Sequence, residues 1–265
     1  MRLRKFFRAH PGCLVALSGG IDSSYLALVA RQELGPRMLA VTGVSASVPA
    51  SMKTLTREFV KDLDIPHRFL PTGELKLPAY RRNAGDRCYW CKRDLMARLR
   101  RLALKLGFRY IVEGTQGGDL GDHRPGMHAV RELKALSPLL DLGFAKSEIR
   151  SNARRLGIAH YDPPESACLA SRVLEGTEIS ARKLSQIDQG EAYLKSLGFR
   201  QVRLRHHGDL ARIEVGREEV PRLGEKRLRV RIASRMRRLG FRFVSADLEG
   251  YKRGGGNLRI KQDNK

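Results

Sequence analysis

The chain is poor in several things. It has no apolar run approaching the about 18 residues that a membrane-spanning helix needs, so no membrane span is expected. Aromatic residues are only 6% of it, although its 42% hydrophobic content is ordinary for a globular protein. Acidic residues are outnumbered, 28 against 51 Lys and Arg, for a net charge of +23 at pH 7. Cysteine is scarce, with four in 265 residues, and the basic opening MRLRKFFRAHPG lacks the apolar core of a secretory signal. A cytoplasmic protein with reduced thiols is therefore expected, and disulfides are not.

At this length the chain can bury a full core in one or two domains. The positive balance attracts polyanions in general. Its arginines are nonetheless spread through helices (Arg98, Arg100, Arg101; Arg150, Arg154, Arg155; Arg235, Arg237, Arg238) rather than gathered in one tail. Solvated helix faces are the preferred reading over a nucleic-acid surface.

What is present is organised around residues 14–24, LVALSGGIDSS. A short apolar strand (Leu14, Val15, Ala16, Leu17) runs into Ser18, Gly19, Gly20, Asp22, Ser23 and Ser24, and an amphipathic helix follows over 25–34. A strand, a glycine turn and a helix N-terminus direct backbone N–H groups and the positive end of a helix dipole at one spot, which is an anion site. Gly19 and Gly20 let the backbone approach a phosphate, and the serines add hydroxyls. Asp22 repels a bare phosphate, so it belongs on Mg²⁺ at that phosphate or on the helix cap. Walker A is excluded, because no lysine follows the glycines. The pattern instead resembles the PP-loop of the ATP pyrophosphatases, which split ATP into AMP and pyrophosphate.

Strands then alternate with helices: a strand over 38–44, a helix over 51–63, a weak strand over 67–70, a helix over 94–106 and a strand over 108–112. This rhythm predicts an α/β fold with a doubly wound parallel sheet. Ligands sit at the carboxyl ends of such strands, so the turns at Gly43 and Gly114 face the same crevice as the SGG loop. Gln116–Met127 (QGGDLGDHRPGM) follows a strand end and reads as a functional loop. Residues 137–140 read as a final strand, 146–156 as a helix and 160–172 as a loop. From about residue 180 the pattern becomes helix, two strands, broken helix and strand. The echo of Leu197-Gly198-Phe199-Arg200 in Leu239-Gly240-Phe241-Arg242 suggests a small α+β domain of two similar pieces. The expected domains are 1–178, 179–250 and a mobile basic tail, 251–265.

Three cysteines invite chemistry. Cys88 and Cys91 form C-x-x-C before a helix, and Cys168 stands alone with Arg172 four residues on. They read as a zinc site, with His160 or water as fourth ligand, as three thiolates of an iron–sulfur cluster, or as a reactive Cys168 thiol beside Arg172. Cys13 enters the first strand and reads as a core thiol.

In order, SGGIDSS, RCYWCK, VEGTQGGDLGDHRPG, SPLLDLGFAKSEIR, ESACLASR and LRHHGDLARIEV resemble the LarE family over essentially the whole chain short of the tail. The resemblance implies an ATP-dependent sulfur transferase of nickel-pincer cofactor biosynthesis. Such an enzyme adenylates a carboxylate of pyridinium-3,5-biscarboxylic acid mononucleotide and then replaces an oxygen by sulfur. It further implies that Ser18, Gly19, Gly20, Asp22, Ser23 and Ser24 hold ATP phosphates and Mg²⁺, with Gly43 and Gly114 flanking the nucleotide. Cys168 is then the sulfur-handling residue, Arg172 stabilises the thiolate or the leaving phosphate, and Arg203, Arg205, Glu214 and Glu191 bind the substrate phosphate. The C-x-x-C favours members in which Cys88, Cys91 and Cys168 carry a [4Fe-4S] cluster over members that sacrifice the single cysteine. The resemblance also implies a homo-oligomer. The alternatives are a tRNA thiolase and an amide-forming ATP pyrophosphatase of the NAD synthetase kind.

Overall fold

The computed structural model describes residues 2–117, 125–158 and 168–252. The expectations for 118–124, for His160 within 159–167 and for the tail from 253 onward lie outside the described residues. The chain divides into two compact units, Met1–Tyr80 with Asp86–Ser166, and Arg81–Gly85 with Ala167–Lys265.

The first unit runs α1 (Arg2–Ala9), β1 (Cys13–Ala16), α2 (Ile21–Leu34), β2 (Met38–Val44), α3 (Ala50–Asp62), β3 (His67–Pro71), α4 (Pro78–Arg81, ending at the unit's edge), α5 (Arg87–Leu106), β4 (Tyr110–Val112), α6 (Pro125–Glu132), α7 (Pro138–Asp141) and α8 (Lys146–Arg155). Its four strands are all parallel, in the order β3-β2-β1-β4. β1 is central and buried throughout, and its side chains alternate between faces. Cys13, Val15 and Leu17 join a core with α1, α2 and α8, whereas Leu14 and Ala16 join one with Met96, Leu99, Leu102 and Ala103 of α5. Helices therefore cover both faces of a parallel sheet.

Three local expectations are corrected. Within the basic N-terminal dozen, for which no helix is expected, Arg2–Ala9 form α1, because Leu3 and Phe7 lie four apart and bury one helix face while the arginines turn outward. The helix expected from residue 94 begins at Arg87, so the C-x-x-C lies in the first turns of α5. The strand expected at 137–140 is the short helix α7. Only Leu136 bridges to Val112, after which Pro138, at the first helical position, starts the turn.

The second unit contains α9 (Ala181–Ser196), β5 (Val202–His207), β6 (Leu210–Val215), α10 (Val220–Leu223), α11 (Lys226–Arg238) and β7 (Phe243–Ala246). β5 and β6 form an antiparallel hairpin, and β7 pairs in parallel with β6. The break expected near Gly224 separates α10 from α11. Ser180 caps α9 by accepting a hydrogen bond from the Lys183 amide at 3.3 Å. Gly190 lets that helix lie directly on β5, since a Cβ there would meet Leu204 Cδ2 at 2.3 Å. No described helix is long and apolar enough to cross a membrane.

Candidate active site

In the first unit, strand order reverses between β1 and β4, and a parallel sheet opens a ligand crevice at such a reversal. The SGG loop leaves β1 there, and Glu113-Gly114 leave β4. Gly114 is packed tightly against the loop, because a Cβ would sit 3.0 Å from the Ser23 amide nitrogen and 3.1 Å from its Cα, and the loop backbone would have to give way. Gly19 has φ +81, and a Cβ on it would meet Met52 Cε at 2.6 Å. Gly20, in extended conformation, is the N-cap of α2.

The loop serines have unequal roles. Ser23 is buried, donating from Oγ to the Gly20 carbonyl at 3.0 Å and accepting from the Ser18 amide at 3.1 Å. Ser24 is fully buried, so both residues hold the loop's shape from within. Ser18 is exposed, with its hydroxyl 3.0 Å from that of Ser23. Asp22 accepts from Lys146 Nζ through both carboxylate oxygens at 2.6 Å. Lys146 lies in the segment SPLLDLGFAKSEIR, where nothing local marks it as the partner of Asp22. Gly43 is a packing glycine, since its Cβ would meet Leu95 Cδ1 at 2.8 Å and Thr72 Cγ2 at 3.1 Å.

Two buried glutamates brace these turns: Glu113 lies in the V-E-G-T segment with no role assigned to it from sequence, and Glu74 lies in none of the motifs. Glu74, 1% exposed, accepts from the hydroxyls of Ser45 and of Ser47, the latter at 2.8 Å, and so ties down the turn after β2. Glu113 accepts from Lys92 Nζ at 3.0 Å, Ser137 Oγ at 2.6 Å and Thr115 Oγ1 at 2.8 Å. Burial pushes the Glu113 carboxyl up, but the Lys92 charge and the hydroxyl donors outweigh it and hold the group below the usual carboxylate range. Because Lys92 follows Cys91, this pair anchors the C-x-x-C turn to the end of β4.

Cys88 is exposed and Cys91 partly so. Three apart on a helix, they share a side of α5. Trp90 Nε1 between them donates to Asp86 Oδ2 at 2.7 Å. Cys13 differs: it is buried, and desolvation pushes its thiol up to about 12.

The second unit builds one connected polar cluster. Cys168 is exposed and precedes a single 3₁₀ turn, Leu169–Arg172. Its carbonyl accepts from Arg172 Nη1 at 3.0 Å and from Ser171 Oγ at 2.8 Å. Arg172 is 2% exposed and forks onto Glu191 at 2.9 and 3.3 Å. Glu191 Oε1 also accepts from the Leu204 amide, so one carboxylate locks the 3₁₀ turn, α9 and β5 together. Arg205 forks onto Glu214 at 2.9 and 3.0 Å and reaches the Ser171 carbonyl at 3.1 Å. Arg203 donates to the Val202 carbonyl and lies 5.0 Å over the Tyr251 ring. Burial, then the neighbouring Arg172 charge, lower its pKa. Arg203 and Arg205 share a strand face, as their spacing requires, but at 7% and 6% exposure they are interior groups rather than a solvated strand edge.

The thiols fall in separate units, Cys88 and Cys91 in the first and Cys168 in the second. Among the described residues, no three His, Cys, Asp or Glu side chains gather as a metal site. The SGG loop presents one carboxylate with hydroxyl and carbonyl oxygens, a donor set suited to a hard cation such as Mg²⁺.

No family model matches the chain. It is 38% identical over 252 residues to an uncharacterized protein of Synechocystis sp., covering 95% of this chain and 94% of that one. It is 32% identical over 247 residues to the pyridinium-3,5-bisthiocarboxylic acid mononucleotide synthase of Lactiplantibacillus plantarum, covering 91% and 87%. It is also 28% identical over 190 residues to one of the subunits of the glutamine-hydrolyzing GMP synthase of Thermoplasma acidophilum, covering 64% and 59%. With the SGG loop at the sheet's reversal point and similarity to the synthase over nearly the full length of both chains, the protein belongs to the LarE family.

Proposed function

We propose that this protein is an ATP-dependent sulfur transferase that acts on pyridinium-3,5-biscarboxylic acid mononucleotide. A substrate carboxylate oxygen attacks the α-phosphorus of ATP, the bond to the β-phosphate breaks, and pyrophosphate leaves. Sulfur then attacks the acyl carbon, AMP departs with the carboxylate oxygen, and a thiocarboxylate remains. The observation that carries this reading is the linkage of Cys168 to the buried Arg172–Glu191 and Arg205–Glu214 pairs. An exposed cysteine is thereby tied, through main-chain carbonyls, to a cluster of three arginines and two glutamates, a set that suits the phosphate of a mononucleotide substrate.

The first unit handles ATP in this reading. Gly19 and Gly20 bring backbone N–H groups to the phosphates, Ser18 offers a hydroxyl, and Ser23, Ser24 and Gly114 keep the loop in shape. Gly43 flanks the nucleotide, and Asp22 would hold Mg²⁺. Adenylation needs the charges on the phosphate chain neutralised, and the dipole of α2 contributes.

Cys88, Cys91 and Cys168 have the donor chemistry of an iron–sulfur site, and Cys13, buried with its thiol pushed up to about 12, does not. When bound, a [4Fe-4S] cluster on these three thiolates would carry the transferable sulfide. Without it, the Cys168 thiolate would attack the acyl carbon to give a thioester, and loss of the Cys168 α-proton with cleavage of its Cβ–S bond would leave dehydroalanine on the protein and the thiocarboxylate on the substrate. Iron and sulfide analysis after anaerobic purification separates the two: iron that is lost in Cys88→Ala supports the cluster, and iron-free turnover with dehydroalanine at position 168 supports sacrifice. One rival remains, an amide-forming enzyme of the NAD synthetase kind working from the same adenylate. ATP–pyrophosphate exchange that depends on the dicarboxylated nucleotide tests adenylation. Cys168→Ala should keep that exchange and form no thiocarboxylate, whereas an amide-forming enzyme would keep its full activity with ammonia.

A further inference from the structure

Lys146 occupies a position that its own helix disfavours. It is the first residue of α8, where the dipole is positive and repels a cation, while Arg154 and Arg155 stand at the end that attracts one. Nor does the pair with Asp22 explain its presence through stability. The two side chains are 37% and 23% exposed, and ion pairs that open to water contribute little. What the pair does is local to the loop. An anion site carrying a carboxylate in the first turn of its helix repels the phosphate it should bind, and Lys146 cancels that charge with two contacts of 2.6 Å. Asp22 is also at the reversal point itself, since a Cβ on Gly114 would lie 3.3 Å from the Asp22 carbonyl carbon.

We propose that Lys146 is a ligand of the nucleotide's phosphate chain, parked on Asp22 in the free protein and released when a divalent cation takes that carboxylate. The inference rests on the reading of the SGG loop as an ATP site. Asp22 exchanges one cation for another, and the displaced ammonium keeps its charge beside the phosphates. A flexible four-carbon stem with three rotatable donors suits this transfer.

The test is calorimetric binding of α,β-methylene ATP, which cannot be split at the α–β bond, with Mg²⁺ and with EDTA. Lys146→Met should weaken binding of the Mg²⁺ complex by about 10- to 100-fold, the range for a charge-assisted hydrogen bond. Lys146→Arg should restore most of it, and the melting temperatures of both should stay near that of the wild type. In EDTA, Asp22→Asn should bind the analogue more tightly than wild type, because Lys146 is already free. Removing a negative charge alone would have the same effect, so the double variant decides: Asp22→Asn with Lys146→Met should lose the gain. Binding of the Mg²⁺ complex by Lys146→Met within twofold of wild type, or a gain that persists in the double variant, overturns the inference and leaves the ATP reading standing. No binding by the wild type overturns both.

Discussion

Glu191 illustrates what one residue can do in this protein. It takes both prongs of Arg172 and the Leu204 amide inside a site from which water is excluded. Breaking a buried ion pair on one side leaves a bare charge and costs about 3–5 kcal/mol. Glu191→Gln should therefore lower the unfolding free energy by about that much in urea titration. A double variant, Arg172→Met with Glu191→Leu, should recover part of the loss, because no charge is stranded. Full stability of Glu191→Gln would contradict the buried pair. At the same scale, iodoacetamide on reduced, metal-stripped protein should modify Cys88, Cys91 and Cys168 and spare Cys13, as read by peptide mass mapping. The three chemical cysteines were legible as C-x-x-C and C-L-A-S-R. The partners of Arg172, Arg205 and Asp22 were not, because each lies 9 to 124 residues away in sequence and no local periodicity encodes such a pairing.

At the scale of elements, the turns after β1, β2 and β4 depend on glycine for different reasons. At Gly114 the obstacle to a side chain is the backbone of Ser23, which cannot move without moving the loop, whereas at Gly43 the nearest obstacle is the end of a leucine side chain. Gly114→Ala should therefore weaken ATP binding by at least tenfold, while Gly43→Ala should be the milder of the two, as measured by equilibrium titration. Equal effects would show that the turn after β4 is not packed against the loop. The strands and long helices are legible because short apolar runs, helical spacing of apolar residues and glycine stops are local signals. The start of α5 is not legible in the sequence, because its first turns, RCYWCKR, are too polar and aromatic to show an apolar stripe. At α7, four residues, Ser137 to Leu140, are too few for any period to separate a helix from a strand.

For the whole molecule, each unit carries a histidine held neutral by burial. Desolvation lowers His67 to about 4 in the first unit and His206 to about 4 in the second, against an ordinary value of 6.5. His206 Nε2 pairs with Gln186 Oε1 at 3.2 Å, which assigns the proton to that nitrogen. The unfolded chain binds more protons than the folded one between the two values, so stability rises with pH across that window. The contribution is present in full above about pH 6.5 and is lost as pH falls toward 4. Melting temperature should fall over that interval, and His206→Gln should flatten the fall. An unchanged slope would mean that His206 is not desolvated. The excess of positive charge, evident in the composition, is distributed over both units, and its interior share holds the cluster around Cys168. That concentration appears only once the chain is folded.

The most direct measurement is an anaerobic single-turnover reaction of the purified protein with ATP, Mg²⁺ and pyridinium-3,5-biscarboxylic acid mononucleotide, its products read by mass spectrometry. Exchange of one carboxylate oxygen for sulfur, with one AMP and one pyrophosphate released per sulfur, is the predicted result. Cys168→Ala should then give adenylated substrate and no sulfur product. Sulfur incorporation without AMP formation, or undiminished product from Cys168→Ala, would contradict the account.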